Sequence, residues 1–178
     1  MKRHGHYKTA KYPQRLCDYF TSSNGLLDDK AYCLAECNGN IYIGTEKGLN
    51  YTKADGSMGA FPCECVKAIH SSDNKVYFAG KNIIYVIENG KISELQTLDE
   101  DVIAFSGTET IYLITPDWLY RFENGKFEKY FKTESELNDI AITGNKINAA
   151  TSNYFICVNG KRKRWMNSDC RSRVDQKL

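Results

Sequence analysis

Ile41-Tyr42-Ile43-Gly44-Thr45 returns three times further along the chain, as Val76-Tyr77-Phe78-Ala79-Gly80, Ile111-Tyr112-Leu113-Ile114-Thr115 and Ile147-Asn148-Ala149-Ala150-Thr151. The intervals are 35, 35 and 36 residues. A second marker keeps the same beat: Asp55-Gly56, Asn89-Gly90, Asn124-Gly125 and Asn159-Gly160 follow one another at 34, 35 and 35 residues. Two markers in phase at this spacing point to one supersecondary unit repeated along the chain.

The third repeat shows what the unit is. Val102-Ile103-Ala104-Phe105 is a short apolar run without helical spacing, and Ile111 to Thr115 is rich in β-formers. Pro116-Asp117 breaks the pattern, Trp118 to Phe122 alternates like a half-buried strand, and Lys126 to Tyr130 alternates again. Asn124-Gly125 sits between the last two, the pair that a type I′ hairpin favours because both central residues need positive φ. Glu88 with Lys91, and Glu123 with Lys126, flank two such turns and are expected to face each other across the strands. Four short antiparallel strands in about 35 residues cannot bury both faces alone, and stacking the sheets around an axis solves that. The expected fold is therefore all-β: a β-propeller of about four four-stranded antiparallel blades. A linear β-solenoid is disfavoured by the tight Asn-Gly hairpins.

The reading divides the chain into a loosely attached tail at 1–14, repeats at about 15–60, 61–96, 97–132 and 133–166, and a basic C-terminal tail at 167–178. Leu16 to Phe20 reads as an outer strand, by comparison of Cys17-Asp18-Tyr19-Phe20-Thr21 with Lys129-Tyr130-Phe131-Lys132-Thr133. Lys161 to Met166 reads as a second outer strand for the same position. Four blades is the lower limit for closure, so the sequence leaves open a closed four-bladed ring beside an incomplete ring, a piece of a larger propeller, or a ring completed by another chain or, as a homo-oligomer, by a second copy, and favours the incomplete or shared forms. The charges of Lys161 to Arg164, with Arg171 and Arg173, read as a guarded sheet edge.

A formal net charge of +2 gives no reason to expect a nucleic-acid partner. The apolar stretches are too short to span a bilayer, so no membrane partner is expected either. The N-terminus is basic with no apolar run behind it, unlike a secretory signal. The cytoplasm is the default expectation, with an extracytoplasmic site if the chain is a fragment of a sensor. The seven cysteines, Cys17, Cys33, Cys37, Cys63, Cys65, Cys157 and Cys170, contain no paired zinc-ribbon spacing. They read as free, partly buried thiols. The three histidines are His4, His6 and His70, and His70 is expected in a half-buried turn. No GxSxG, HExxH or phosphate-binding glycine loop occurs, so no catalytic residues are assigned.

The first repeat carries more than generic character. Asp18-Tyr19-Phe20-Thr21 leads to Asn24-Gly25-Leu26, then Tyr32-Cys33-Leu34-Ala35, Asn38-Gly39-Asn40, Ile41 to Thr45 and Gly48-Leu49-Asn50-Tyr51. This resembles the two-component-regulator propeller repeat. Tyr42 stands where that family usually has tryptophan, and later repeats lose the Gly-Thr … Gly-Leu signature. The resemblance implies a sensor-type propeller of bacterial origin and does not extend to kinase, receiver or DNA-binding regions.

In a propeller, the blade-to-blade connections share one end with the loops between second and third strands. Those segments hold Asp28, Asp29, Glu46, Glu64, Asp99, Glu100, Asp101, Asp117, Glu134, Glu136 and Asp139, against Lys30, Lys47, Lys81 and Lys132. An acidic end is expected, with Glu46, Glu64, Asp99, Glu100, Asp117 and Glu134 as ligand contacts and Trp118 as a stacking platform. The ligand expected there is cationic or polyhydroxylated. No cofactor is assigned; calcium would need converging oxygens. The favoured function is a non-catalytic ligand-binding or sensor-like module with a small-molecule or protein partner. The alternatives are a propeller enzyme of the lyase or lactonase type, and a protein-interaction scaffold that assembles through exposed blades.

Overall fold

The computed structural model describes residues 20–53, 55–144, 146–159, 162–167 and 173–177, with side chains as far as Val158. The chain is all β. The first sheet is β1 (Ala31–Cys37), β2 (Asn40–Thr45), β3 (Gly48–Thr52) and β4 (Met58–Pro62). The second is β5 (Val66–Ser72), β6 (Lys75–Gly80), β7 (Ile83–Glu88) and β8 (Lys91–Thr97). The third is β9 (Ala104–Ser106), β10 (Tyr112–Ile114), β11 (Trp118–Glu123) and β12 (Lys126–Lys132). The fourth is β13 (Leu137–Thr143), β14 (Lys146–Thr151), β15 (Tyr154–Asn159), β16 (Arg162–Asn167) and β17 (Arg173–Lys177). Each sheet is an antiparallel meander in chain order, and the four sheets are blades of a β-propeller.

The repeated pentapeptide falls on β2, β6, β10 and β14, the second strand of each blade. Its terminal threonine closes the turn that follows. Thr45 Oγ1 donates to Gly48 O at 2.8 Å, and Thr151 Oγ1 to Tyr154 O at 2.7 Å. Thr115 does the same towards Trp118 O at 3.5 Å. Asn89 and Gly90 have φ of 50° and 72°, and Asn124 and Gly125 have 51° and 81°, as a type I′ turn requires. Glu88 and Lys91, like Glu123 and Lys126, are register partners. Their ion pairs nevertheless run elsewhere: Lys75 Nζ lies 3.1 Å from Glu88, and Lys126 Nζ lies 3.2 Å from Glu128.

Three cores lie between successive blades. Tyr42 and Leu49 of the first blade meet Val66, Val76, Phe78 and Ile87 of the second. Ala68, Tyr77 and Ile84 of the second meet Phe105, Leu113 and Tyr120 of the third. Ile114, Leu119 and Phe131 of the third meet Ile140, Ile147 and Ile156 of the fourth. Side chains of this size stabilise by about 1.5–3 kcal/mol each when fully buried, so these three sandwiches dominate the fold. The inner strands pack in sequence, β1 on β5, β5 on β9 and β9 on β13. No packing of that extent joins β13 back to β1 among the described residues. Among the described residues the four blades form an open arc.

Two local readings are corrected, and a third falls mostly outside the described residues. Phe20 is exposed and lies outside any strand; the rest of the proposed outer strand, residues 16–19, lies outside the described residues, as does the tail at 1–14. The segment read as a basic tail contributes β17, which pairs with β16 and makes the fourth sheet five-stranded. His70 stands within β5 rather than in a turn, because that strand runs on to Ser72 before the hairpin at Asp73-Asn74. The side chains of the basic cluster at 161–164, 171 and 173 lie outside the described residues.

Candidate functional site

Antiparallel pairing fixes which loops meet. Val66 pairs with Gly80 and Ala31 with Thr45, so inner strands begin where second strands end. Gly48 pairs with Pro62, so the exits from outer strands reach the same end. The second-to-third-strand turns and the blade-to-blade connections therefore gather at one end of the arc. A cleft of about 330 Å³ opens there across the first three blades. Glu46 and Lys81 enter from two such turns, Cys65 and Lys67 from the start of β5, and Asp101, Val102 and Ile103 from the connection into β9. Two cations and two anions thus stand around an apolar floor.

The surrounding contacts fix these side chains. Tyr32 Oη donates to the Glu46 carboxylate, and that acceptor, with the negative charge beside it, pushes the phenol up to about 12. Lys67 Nζ lies 5.4 Å from the centre of the Tyr32 ring, over its face. Lys81 pairs with Glu64 at 3.0 Å, which raises its ammonium above the usual value. Beneath them lie Cys33 and Cys63, free thiols pushed up to about 11 chiefly by burial and so held neutral. Cys33 Sγ donates to Val66 O at 3.5 Å, across the junction of the first two blades.

The expected site residues separate into groups. Glu46 lines the cleft and Glu64 reaches it through Lys81. Asp99, Glu100 and Asp117 gather instead around Trp118 on the third blade. Glu100 Oε2 accepts from Asp117 N at 3.2 Å, Lys129 lies 3.7 Å from Asp99, and Lys132 lies 3.9 Å from Asp117. The same two lysines stand 4.8 and 5.7 Å from the Trp118 ring centre. The indole face expected to receive a ligand is thus already covered by the protein's own ammonium groups. Glu134 is exposed on the connection into the fourth blade, beside Tyr154. Asp28 is paired with Lys47 at 3.0 Å, and the Lys30 N–H and Lys47 together hold its carboxyl below the usual range.

The acidic excess read from the loops is therefore offset locally. Lys67 and Lys129 were missed because they arrive from within β5 and β12 and only their side chains reach this end. Alternation along those strands was the available signal. Among the described residues, no three His, Cys, Asp or Glu side chains come together as a metal site would need. No helix among them is long and apolar enough to cross a membrane.

No family model matches the chain, and no curated protein matches it. Solved structures do. The extracellular domain of a protein described as a hybrid two-component system of B. thetaiotaomicron aligns at a TM-score of 0.66 and 16% identity, covering 86% of this chain and 24% of that one. Virginiamycin B lyase from Staphylococcus aureus aligns at 0.56 and 14%, covering 86% and 71%. The Pan2 WD40 domain of Neurospora crassa aligns at 0.56 and 17%, covering 83% and 50%. The chain spans about a quarter of the B. thetaiotaomicron ectodomain. At these identities the likeness is one of fold.

Proposed function

We propose that the chain is a non-catalytic, ligand-binding propeller module of the sensor type, taking a small polyhydroxylated molecule such as a sugar or sugar acid. The observation that carries this is the cleft at the loop end of the arc. Its volume suits a small ligand. Lys67 and Lys81 offer donors and Glu46 and Asp101 offer acceptors around Val102 and Ile103, a mixture suited to several hydroxyls over an apolar ring face. The B. thetaiotaomicron ectodomain gives the sensor analogy, and with it the extracytoplasmic option. His70, the histidine among the described residues, is half-buried in β5 beside Gly107, not in the cleft, and offers it no acid–base group.

The test is a thermal-shift screen of sugars and sugar acids, followed by calorimetry on the hits. Lys67→Ala and Asp101→Ala should each weaken binding about tenfold or more, the loss of one hydrogen bond to a charged group. Hits that bind both variants as well as the parent would place the ligand elsewhere. A panel that produces no shift at about 1,000 times a micromolar dissociation constant would remove the ligand class, since saturation should stabilise by about 4 kcal/mol.

A further inference from the structure

Each internal junction between blades is built by one rule. The face a blade turns to its predecessor carries a large apolar residue on the inner strand: Ile69, Phe105 and Ile140, opposite Phe78, Leu113 and Ala149 in register. The face turned to the successor carries a small residue at the neighbouring position: Cys33, Ala68 and Ala104, opposite Gly44, Ala79 and Ile114. Large side chains of one blade thereby pack on the small-residue face of the one before it.

The first blade has the same predecessor-facing set, and among the described residues nothing lies over its inner half. Leu34, opposite Ile43, occupies the place of Ile69, Phe105 and Ile140. It is 73% exposed, where Phe105 is 9% and Ile140 is 6% exposed. Ile41 is 36% exposed, where its counterpart Val76 is 1% exposed. The fourth blade ends the arc with a surface that follows the rule only in part: Asp139, opposite Ala150, stands where Cys33, Ala68 and Ala104 stand, and Asn148 stands where Tyr42, Tyr77 and Tyr112 stand. Ala141 and Ala150 are small and exposed, and Phe155, the register partner of Ala150, is 38% exposed.

We propose that the chain assembles head to tail with a second copy of itself. The predecessor face of each copy's first blade packs on the successor face of the other's fourth, and two four-bladed arcs close one ring. Leu34 and Phe155 hold positions that are packed at every internal junction, Phe155 being the counterpart of Leu49, Ile84 and Leu119, so a second copy covers both at once. One segment of the same chain, such as residues 1–19, would leave one of them bare. A head-to-tail contact that closes gives a ring rather than a filament. Eight blades from two arcs lies within the range in which propellers close, and the arc's match to half of a WD40 domain fits that division.

Light scattering on the full chain from micromolar concentrations upward tests this, with Leu34→Asp and Phe155→Asp as variants. Both residues are exposed in the single chain, so a urea midpoint at low concentration should be unchanged and verifies folding. The wild type should be a dimer, and each variant should raise its dissociation constant about a hundredfold or more by burying an unpaired carboxylate. A wild-type monomer at all concentrations would overturn the proposal, as would a monomer that dimerises only when residues 1–19 are removed. A dimer that survives both substitutions would overturn it too. A dimer broken by Leu34→Asp but not by Phe155→Asp would mean two first blades back to back, and head-to-tail closure would be wrong.

Discussion

Asn50 does for the first blade what a neighbouring blade does for the others, and replacing it with alanine should show how much that is worth. It lies on β3 opposite Ile43, where the later blades have Tyr85, Tyr120 and Ile156 packed against a predecessor. Asn50 is fully buried. Its Oδ1 accepts from Leu27 N at 2.9 Å, and its Nδ2 donates to Gly25 O at 2.9 Å and Gly59 O at 3.2 Å. The amide thereby ties residues 20–30 across the outer half of the uncovered face. Alanine removes three hydrogen bonds worth about 1 kcal/mol each. It leaves the Gly59 carbonyl without that partner, while a lifted segment lets water reach Leu27 N and Gly25 O. The net loss should be about 3 kcal/mol, or about 6–12 °C in Tm for a chain of this size. Urea unfolding measures the first quantity. Trypsin cleavage after Lys30 reports the lifting, and should be faster in the variant. Asn50→Asp keeps the acceptor for Leu27 but loses both donations, and should sit no higher than alanine. A loss below about 0.5 kcal/mol, the range of an ordinary surface change, with unchanged proteolysis, would refute the role given to Asn50.

Two further outcomes follow from packing and burial. Burial holds the His70 imidazole below its usual value of 6.5. The unfolded chain therefore takes up a proton first as pH falls, so this group's stability is complete above about 6.5 and declines below it; below about pH 6.5 the urea midpoint of the parent should fall more steeply than that of His70→Gln, and equal slopes would refute the assignment. Gly44→Ala would bring a Cβ to 2.5 Å from Cys33 Sγ and 2.5 Å from Val66 O, with Val66 Cγ1 at 2.7 Å. Two of those atoms belong to the next blade, so the junction must open, and a loss of about 1–3 kcal/mol is expected by calorimetry.

The strand order was legible because the repeat imposes it. The pentapeptide beat fell on the four second strands, and Asn89-Gly90 and Asn124-Gly125 on tight turns, since backbone needs at those positions are local. Asp55-Gly56 kept the beat but belongs to a wider loop, in which Asp55 Oδ1 accepts from Ser57 N at 2.9 Å. Whether the arc closes was not legible, because closure depends on the small rotation between blades, which no single repeat encodes. The record of the open end is nonetheless written in the chain. Leu34 reads as a core residue by every local rule, and it is exposed because no blade among the described residues packs beside it.

The loop end failed differently. Counting acids on loops assumed that each charge stays where its backbone is, but lysine stems are long enough to cross from a strand to its end. Lys129 and Lys132 leave β12 and converge on Trp118, Asp99 and Asp117. What read as one acidic surface is therefore two unlike places: a closed polar cap over Trp118, and an open cleft between Glu46, Lys67, Lys81 and Asp101. The distinction has a direct consequence for binding. Trp118→Leu removes the ring beneath two ammonium groups and should cost about 1 kcal/mol or so of stability through the lost cation–π contacts, while ligand affinity at the cleft stays within a factor of about two. Calorimetry with a cleft-binding sugar separates the two effects. If Trp118→Leu abolished binding while Lys67→Ala and Asp101→Ala did not, the indole would be the platform after all, and its lysine cover would have to move aside on binding.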